Sequence, residues 1–285
     1  MAIRHLPFLL CFPILLAALP GCGNLEKEID LDLPTYTPQY VVECYLEPGE
    51  PFRLALSKSL PFFEPFPTDP SEFVSSILED SADVVISHAG TDYPLQNGID
   101  VASLLEKVKV YNYYSTEKVP LDYDQPFSLS IRTRSGDVIN GSTRLLPPVP
   151  IDSVVVEFDL VRDTLARALT YITDDPNASN YYRRMYHMHS LDSIPDQDFV
   201  TNDDFVDDRI LVFGSGYELK EGDTIYNTIF HIDRAYYDFW LSTFNAISSN
   251  GNPFGQPSGI QSNISGAIGI FTALQYERRM TVVGK

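Results

Sequence analysis

Histidine residues give this sequence its clearest candidates for metal-binding chemistry. His187 and His189 are two residues apart in a segment with strand-like alternation, which would place both imidazoles on one face, and His231 could supply a third nitrogen. Imidazole nitrogens in this arrangement suit Zn²⁺ and other transition metals. The alternative is a solvent-facing strand edge and a residue beside a helix cap, and the sequence favours this plainer interpretation.

A run of aspartates is the second candidate for ion binding. Asp203, Asp204, Asp207 and Asp208 lie in the acidic segment 196–208, where a bound Ca²⁺ would relieve the repulsion between carboxylates. The segment lacks the spacing of an EF-hand, because no glycine occupies the sixth place and no glutamate closes the loop. A solvated acidic loop is the favoured interpretation, so no metal site is predicted.

Catalytic motifs are missing from the sequence. It contains no G-x-S-x-G elbow, H-E-x-x-H motif, P-loop or Rossmann fingerprint. A carboxylate pair of the glycosidase kind can come from distant strands, but nothing singles one out. We therefore predict a protein without a cofactor that is not an enzyme. The formal net charge of −19, from 20 basic and 39 acidic side chains, also disfavours binding to nucleic acid.

The amino-terminal residues indicate export. Arg4 and His5 precede an uncharged apolar run over 6–19, which is too short to span a bilayer. A positive start, a short apolar core and a small residue before the cut are typical of a secretory signal peptide. Leu19-Pro20-Gly21-Cys22 resembles the lipobox of bacterial lipoproteins. We predict a signal peptide over 1–21, lipid attachment at Cys22, and an acidic tether over 22–38.

Residues 39–146 alternate between apolar and polar side chains in several short runs, which predicts β-strands. The run from Tyr40 to Leu46 and the next one flank Pro48-Gly49-Glu50-Pro51, which indicates a hairpin. Cys44 lies on the apolar side of the first run and is predicted to be a buried, inert thiol. A short helical turn is expected after Asp69-Pro70, and a helix around 102–108.

The prolines of 147–150 are stiff and extended, and they predict a domain junction. Beyond them, residues 151–285 are expected to form one amphipathic helix over 234–249, capped by Asp233. Strands are expected over 151–158, 166–173, 181–188, 210–213 and 224–232, followed by two closing strands over 268–274 and 278–283. The helical spacing of its apolar residues predicts a face packed on a sheet. Gly266 and Gly269 lie in a strand-like context and predict a bulge or close packing.

The predicted fold class is therefore mostly β, with two β-sandwich-like modules of the immunoglobulin or transthyretin type, the second carrying one helix.

Two groups of residues resemble a large lipoprotein family of Bacteroidota, known as domain of unknown function 4249. The amino-terminal group is Glu26-Lys27-Glu28-Ile29-Asp30, Val41-Val42-Glu43 and Glu47-Pro48-Gly49. The more specific carboxy-terminal group is Tyr236-Tyr237-Asp238, Gly251-Asn252-Pro253-Phe254, Ser262-Asn263-Ile264 and Gly269-Ile270-Phe271. The resemblance implies a lipoprotein, often encoded beside a TonB-dependent outer-membrane receptor. It assigns no catalytic residues.

These observations together predict an outer-membrane lipoprotein that is anchored through Cys22 and faces the cell exterior, with the periplasmic face as the alternative. Its expected role is that of a non-catalytic binding or accessory component of a TonB-dependent receptor system, because the resemblance points to such receptors. The acidic residues after Cys22 resemble the surface-export tag of that phylum. Two alternatives stay open: a surface-attached hydrolase acting on glycans or peptides, and a structural or adhesive envelope protein.

Overall fold

The computed structural model describes residues 37–60, 67–99, 110–204, 209–249 and 259–285. The signal peptide, Cys22, the tether up to residue 36 and the helix expected around 102–108 lie outside these ranges. Within them the chain forms strands β1 (Tyr40–Leu46), β2 (Pro51–Lys58), β3 (Asp83–His88), β4 (Thr91–Asn97), β5 (Tyr113–Lys118), β6 (Phe127–Arg132), β7 (Val138–Thr143), β8 (Ile151–Phe158), β9 (Ala166–Thr173), β10 (Tyr181–Met188), β11 (Gln197–Asn202), β12 (Ile210–Gly214), β13 (Thr224–Ile232), β14 (Ile264–Ser265), β15 (Ile268–Ala273) and β16 (Gln275–Val282), and helices α1 (Pro70–Ile77) and α2 (Arg234–Ser249). The prediction of a mostly β, sandwich-like protein is confirmed.

The hairpin β1–β2 forms as its alternation predicts. Val42, Cys44 and Leu46 are buried on one side of β1, and their neighbours along the strand are only partly buried. Gly49 supplies the positive φ of 85° that the connecting turn requires. Burial raises the pKa of the Cys44 thiol well above its usual range, which fits the predicted inert side chain.

The larger sheet has nine strands in the order β14-β7-β6-β3-β4-β5-β2-β1-β15. Its two outermost strands are consecutive in the chain, and Asn263 ties them together by hydrogen bonds to the backbone N–H and C=O of Phe271. The sheet therefore curls round until its edges meet, and one apolar core fills the space inside. The edge strand β15 pairs in parallel with β1, so that Gly269 lies beside Val42.

Two smaller sheets form the second half. The four-stranded sheet has the order β11-β10-β13-β16, and the three-stranded sheet has the order β12-β9-β8. They pack face to face over aliphatic and aromatic side chains, which come mainly from alternate residues of β9, β10 and β12.

The predicted division at the prolines 147–150 needs one correction. The prolines do lie between β7 of the large sheet and β8 of the second half. However, β14 and β15 return to the large sheet, so residues 151–285 are not a separate continuous module. Residues 38–285 form one compact unit. Local alternation identified these strands, but it carries no information about a partner more than two hundred residues away.

Helix α2 begins as predicted. The Asp233 carboxylate accepts the backbone N–H of Tyr236 at 2.7 Å, which is the geometry of an N-cap, and burial raises the pKa of this carboxyl. The helix packs through Tyr236 against the four-stranded sheet, and the far end of its predicted apolar stripe is open, since Phe244 and Ile247 are exposed. In the described part of the chain, no helix has the length and apolar character needed to cross a lipid bilayer.

Candidate functional site

The three histidines proposed as metal ligands do not come together. His187 is 3 % exposed in the interior strand β10, and His189 lies beyond the end of that strand with a φ of 70°. His187 pairs with Tyr226 of β13, and His231 lies five residues further along that strand, a separation of about 17 Å. The expectation of a solvent-facing strand edge is wrong for His187, since β10 lies between β11 and β13; burial lowers the pKa of His187.

His231 is held by neighbours within the protein. Its Nδ1 lies 3.0 Å from the carbonyl oxygen of Pro147, and its ring stacks on Tyr182 with centroids 5.7 Å apart. Within the described ranges, no group of three or more histidine, cysteine, aspartate or glutamate side chains is placed to hold a metal ion.

The two described metal-ligand candidates of the predicted acidic loop, Asp203 and Asp204, engage amides rather than each other. Asp203 accepts hydrogen bonds from the backbone and side-chain nitrogens of Asn180 at 2.8 and 3.2 Å, and Asp204 accepts one from Asn202 at 2.6 Å. The prediction of a loop over 196–208 is wrong in part, because Gln197–Asn202 forms β11. The remaining two candidates, Asp207 and Asp208, lie outside the described residues.

Two consecutive arginines in β10 form polar clusters that the sequence analysis missed. Arg183 points to the outer face of its sheet, donates to both carboxylate oxygens of Asp198 at 2.7 and 2.6 Å, and donates to the Tyr236 hydroxyl at 2.7 Å. Its guanidinium also lies over the ring of Phe230. This bidentate pair joins β10, β11 and helix α2, so its role is to fix their arrangement.

Arg184 points to the opposite face and is fully buried between the two sheets. It donates to the side-chain oxygens of Gln197 and Asn227 and to the backbone oxygen of Gly214, at 2.7, 2.9 and 2.9 Å. These partners are neutral, and burial lowers the pKa of Arg184 to about 10. Because Gly214 belongs to the three-stranded sheet, the hydrogen bonds of Arg184 connect the two sheets inside the core. An arginine at an inward position of an alternating strand was the signal in the sequence.

A surface of exposed aliphatic side chains lies at the end of the second half where β8 meets β9. Leu160 and Val161, in the turn 159–165, are 100 % and 92 % exposed. The turn is nevertheless well defined. The Asp159 carboxylate accepts the backbone N–H groups of Val161 and Arg162 at 2.8 and 3.0 Å and also pairs with the Arg162 guanidinium. These bonds lower the pKa of Asp159 to about 2.

The hairpin turn between β10 and β11 adds two more aliphatic side chains. Ile194 is 89 % exposed and Leu191 is 37 % exposed. The Asp196 carboxylate accepts the backbone N–H of Met188 at 2.7 Å, and the N–H of Asp196 donates to the Tyr186 carbonyl at 2.8 Å, so this turn is also held by internal bonds.

Both turns lie at the same end of the two sheets. Lys285, just beyond β16, reaches Asp163 of the first turn at 3.7 Å. The N–H of His189, at the start of the second turn, donates to the carbonyl of Thr224 at the beginning of β13. We call Leu160, Val161, Leu191 and Ile194 together the distal surface. No role was predicted for these residues from the sequence, since the exposure of an aliphatic side chain cannot be read from its type.

The strands and hairpins define a mostly β, sandwich-like protein that presents well-ordered apolar turns. The chain belongs to the family described as Domain of unknown function (DUF4249), which matches residues 26–279. This confirms the family resemblance noted from the sequence.

Comparisons with individual proteins add little to the family assignment. No curated protein matches the sequence. A solved chain titled "Cytokine receptor complex - Crystal form 2" is 12 % identical, covers 69 % of this chain and 93 % of its own length, and has a TM-score of 0.27. A score this low carries no argument about the function of this protein.

Proposed function

We propose that this chain is an exported lipoprotein that is cleaved before Cys22 and held on the outer membrane, facing the cell exterior, by acyl chains on that residue. The charged start, the apolar run over 6–19 and the cysteine at the cut support this proposal. Each buried CH₂ contributes about 0.8 kcal/mol, and more than one chain gives a stable anchor.

We further propose that the folded part has a non-catalytic role, as an accessory component that docks on a TonB-dependent outer-membrane receptor. The distal surface is the observation that carries the binding role. Aliphatic side chains on exposed turns gain stability only when a partner covers them, and such patches often mark interaction sites. Because both turns are ordered by internal hydrogen bonds, binding would immobilise few additional groups. The receptor as partner rests on the family resemblance.

Purification from the native envelope tests this function. The wild-type chain, extracted in mild detergent, should bring the receptor with it in a fixed proportion. The Cys22→Ser variant should leave the membrane fraction and lose the receptor. A wild-type chain that purifies without any envelope protein would exclude the accessory role, and a serine variant that stays in the membrane would exclude the anchor.

A further inference from the structure

We propose that the distal surface docks onto a protein face with apolar sockets set among lysine and arginine side chains, and that it does not insert into the membrane. This inference rests on the proposed binding function and names the chemistry of its partner. It follows from the composition of the surface, from the charges around it and from its place in the fold.

The exposed side chains of the distal surface include none of the aromatic residues that anchor a protein at lipid headgroups. Loops and helices that sit in a lipid interface use tryptophan or tyrosine at the headgroups, with lysine or arginine to meet anionic lipid. The distal surface instead consists of leucine, valine and isoleucine. Aliphatic side chains without aromatic or basic anchors therefore favour apolar sockets on a protein.

The rim around these side chains is acidic. The exposed or partly exposed carboxylates of the surrounding turns are Asp163, Asp192, Asp196, Glu218, Glu221 and Asp223. The basic side chains at this end are Arg162, Lys220 and Lys285, and the first and last of these pair with Asp159 and Asp163 of the same surface. The excess negative charge repels anionic headgroups and complements a basic protein face.

The turns are close enough to bind one partner together. They project from facing sheets at one end, and strands about 4.8 Å apart in sheets about 10 Å apart place them within about 20 Å of each other. A standard interface covers about 800 Å² on each partner, which is a patch about 30 Å across. One protein face can therefore contact both hairpin turns.

The distal surface lies at the far end of the fold from the point where the chain enters it. The chain enters at Tyr40, and β1 runs for about 20 Å to Leu46. There Leu46 accepts the N–H of Leu274, and β16 runs on for about 25 Å to Val282 beside the distal turns. Within residues 38–285, the distal surface is thus at the opposite end from Tyr40.

Site-specific photo-crosslinking in the native host tests the proposal on the full lipidated chain. Benzoylphenylalanine is placed at Leu160 or Ile194, with Val138 of the large sheet as the control, because Val138 is also exposed, at 47 %. Both distal positions should form an adduct with the same protein, and the control position should not. An adduct with phospholipid, equal adducts at the control, or no adduct at the distal positions would each overturn the proposal.

Charge substitutions supply a second measurement. Leu160→Asp and Ile194→Asp should each reduce recovery of the crosslinked protein by at least about tenfold, equivalent to about 1.4 kcal/mol. Val138→Asp, which adds the same charge elsewhere, should leave it unchanged. The distal residues are exposed, so urea unfolding midpoints should match the wild type in all three variants. Undiminished recovery would overturn the docking site.

Vesicle flotation separates a lipid contact from a protein contact. The Cys22→Ser chain should not float with vesicles of phosphatidylethanolamine and phosphatidylglycerol. If it does float, and the added substitution Leu160→Asp abolishes the flotation, the inference is overturned. The two proposals can fail separately. If the wild-type chain still purifies with the receptor while the distal positions give no adduct, the docking site is wrong and the accessory role stands.

Discussion

Replacement of Gly269, which is buried in strand β15, by alanine should destabilise the protein more than a glycine-to-alanine change at an exposed turn. Gly269 lies in β15 beside Val42 of β1, with a φ of +133°. A Cβ atom there would lie 1.9 Å from the Val42 carbonyl oxygen and 2.8 Å from its carbonyl carbon. Both atoms belong to the backbone, so no side chain can rotate out of the way.

The size of the effect follows from two separate costs. The positive φ costs a residue with a Cβ about 1–3 kcal/mol. Ordinary contact begins at 3.4 Å, so β1 would have to move by about 1.5 Å, and such overpacking costs about 1–3 kcal/mol or more. The total of about 4 kcal/mol is a large part of the 5–15 kcal/mol that typically stabilises a folded protein. It should lower the melting temperature by about 10 °C.

Gly136 supplies the matched control. It also has a positive φ, of +93°, but a Cβ atom there would meet nothing within 4 Å. Gly136→Ala therefore carries the backbone cost without the clash. Urea unfolding of both variants isolates the steric part, and hydrogen exchange should show faster opening of β1 in Gly269→Ala. If the two variants differ by less than about 1 kcal/mol, the close approach of β1 and β15 is not as described.

Three further predictions concern charges and the thiol. Asp198→Asn should destabilise the fold by about 3 kcal/mol in urea unfolding, because it leaves the largely buried Arg183 without its carboxylate. The control Asp238→Asn removes an exposed ion pair with Arg234 and should cost less than about 0.5 kcal/mol. Hydrogen bonds lower the pKa of Asp159 from 3.8 to about 2, so the turn that it caps should be stable above about pH 4 and should loosen as the pH falls through 2. The amide resonances of the turn, followed by NMR during an acid titration, measure this change. A titration midpoint near 3.8 would contradict the prediction. Cys44 should resist thiol reagents in the folded protein and react after unfolding, so rapid modification of the native chain would contradict its burial.

Regular alternation or helical spacing allowed several elements to be predicted from the sequence. The bounds of β8, β9, β10, β13 and α2 agree with the prediction, because each has a strong period and clear flanking residues. Strand β11 was missed, since every residue from Gln197 to Asn202 is partly buried and no alternation results. Strand β4 was missed for a similar reason: Leu95 is its one buried residue.

Features that depend on distant contacts could not be predicted. Gly269 was recognised as a point of close packing, but nothing in its neighbourhood identified β1 as the partner. The sequence of β10 does not predict that Arg183 pairs with a carboxylate while Arg184 has only neutral partners, because these partners belong to other strands. Likewise, the exposure of Leu160 follows from where its hairpin projects, which is a property of the whole fold.

The pairing of β1 with β15 also constrains when the fold can be completed. Val41 cannot meet Ile268 until nearly all of the chain is available. If the exported chain that we propose crosses the membrane with its amino terminus first, β1 would lack its partner β15 until the last segment had crossed. Such late, long-range closure makes folding slow, on the order of milliseconds to seconds. The same strand pair that seals the mature protein would thus keep its precursor loose enough to be transported.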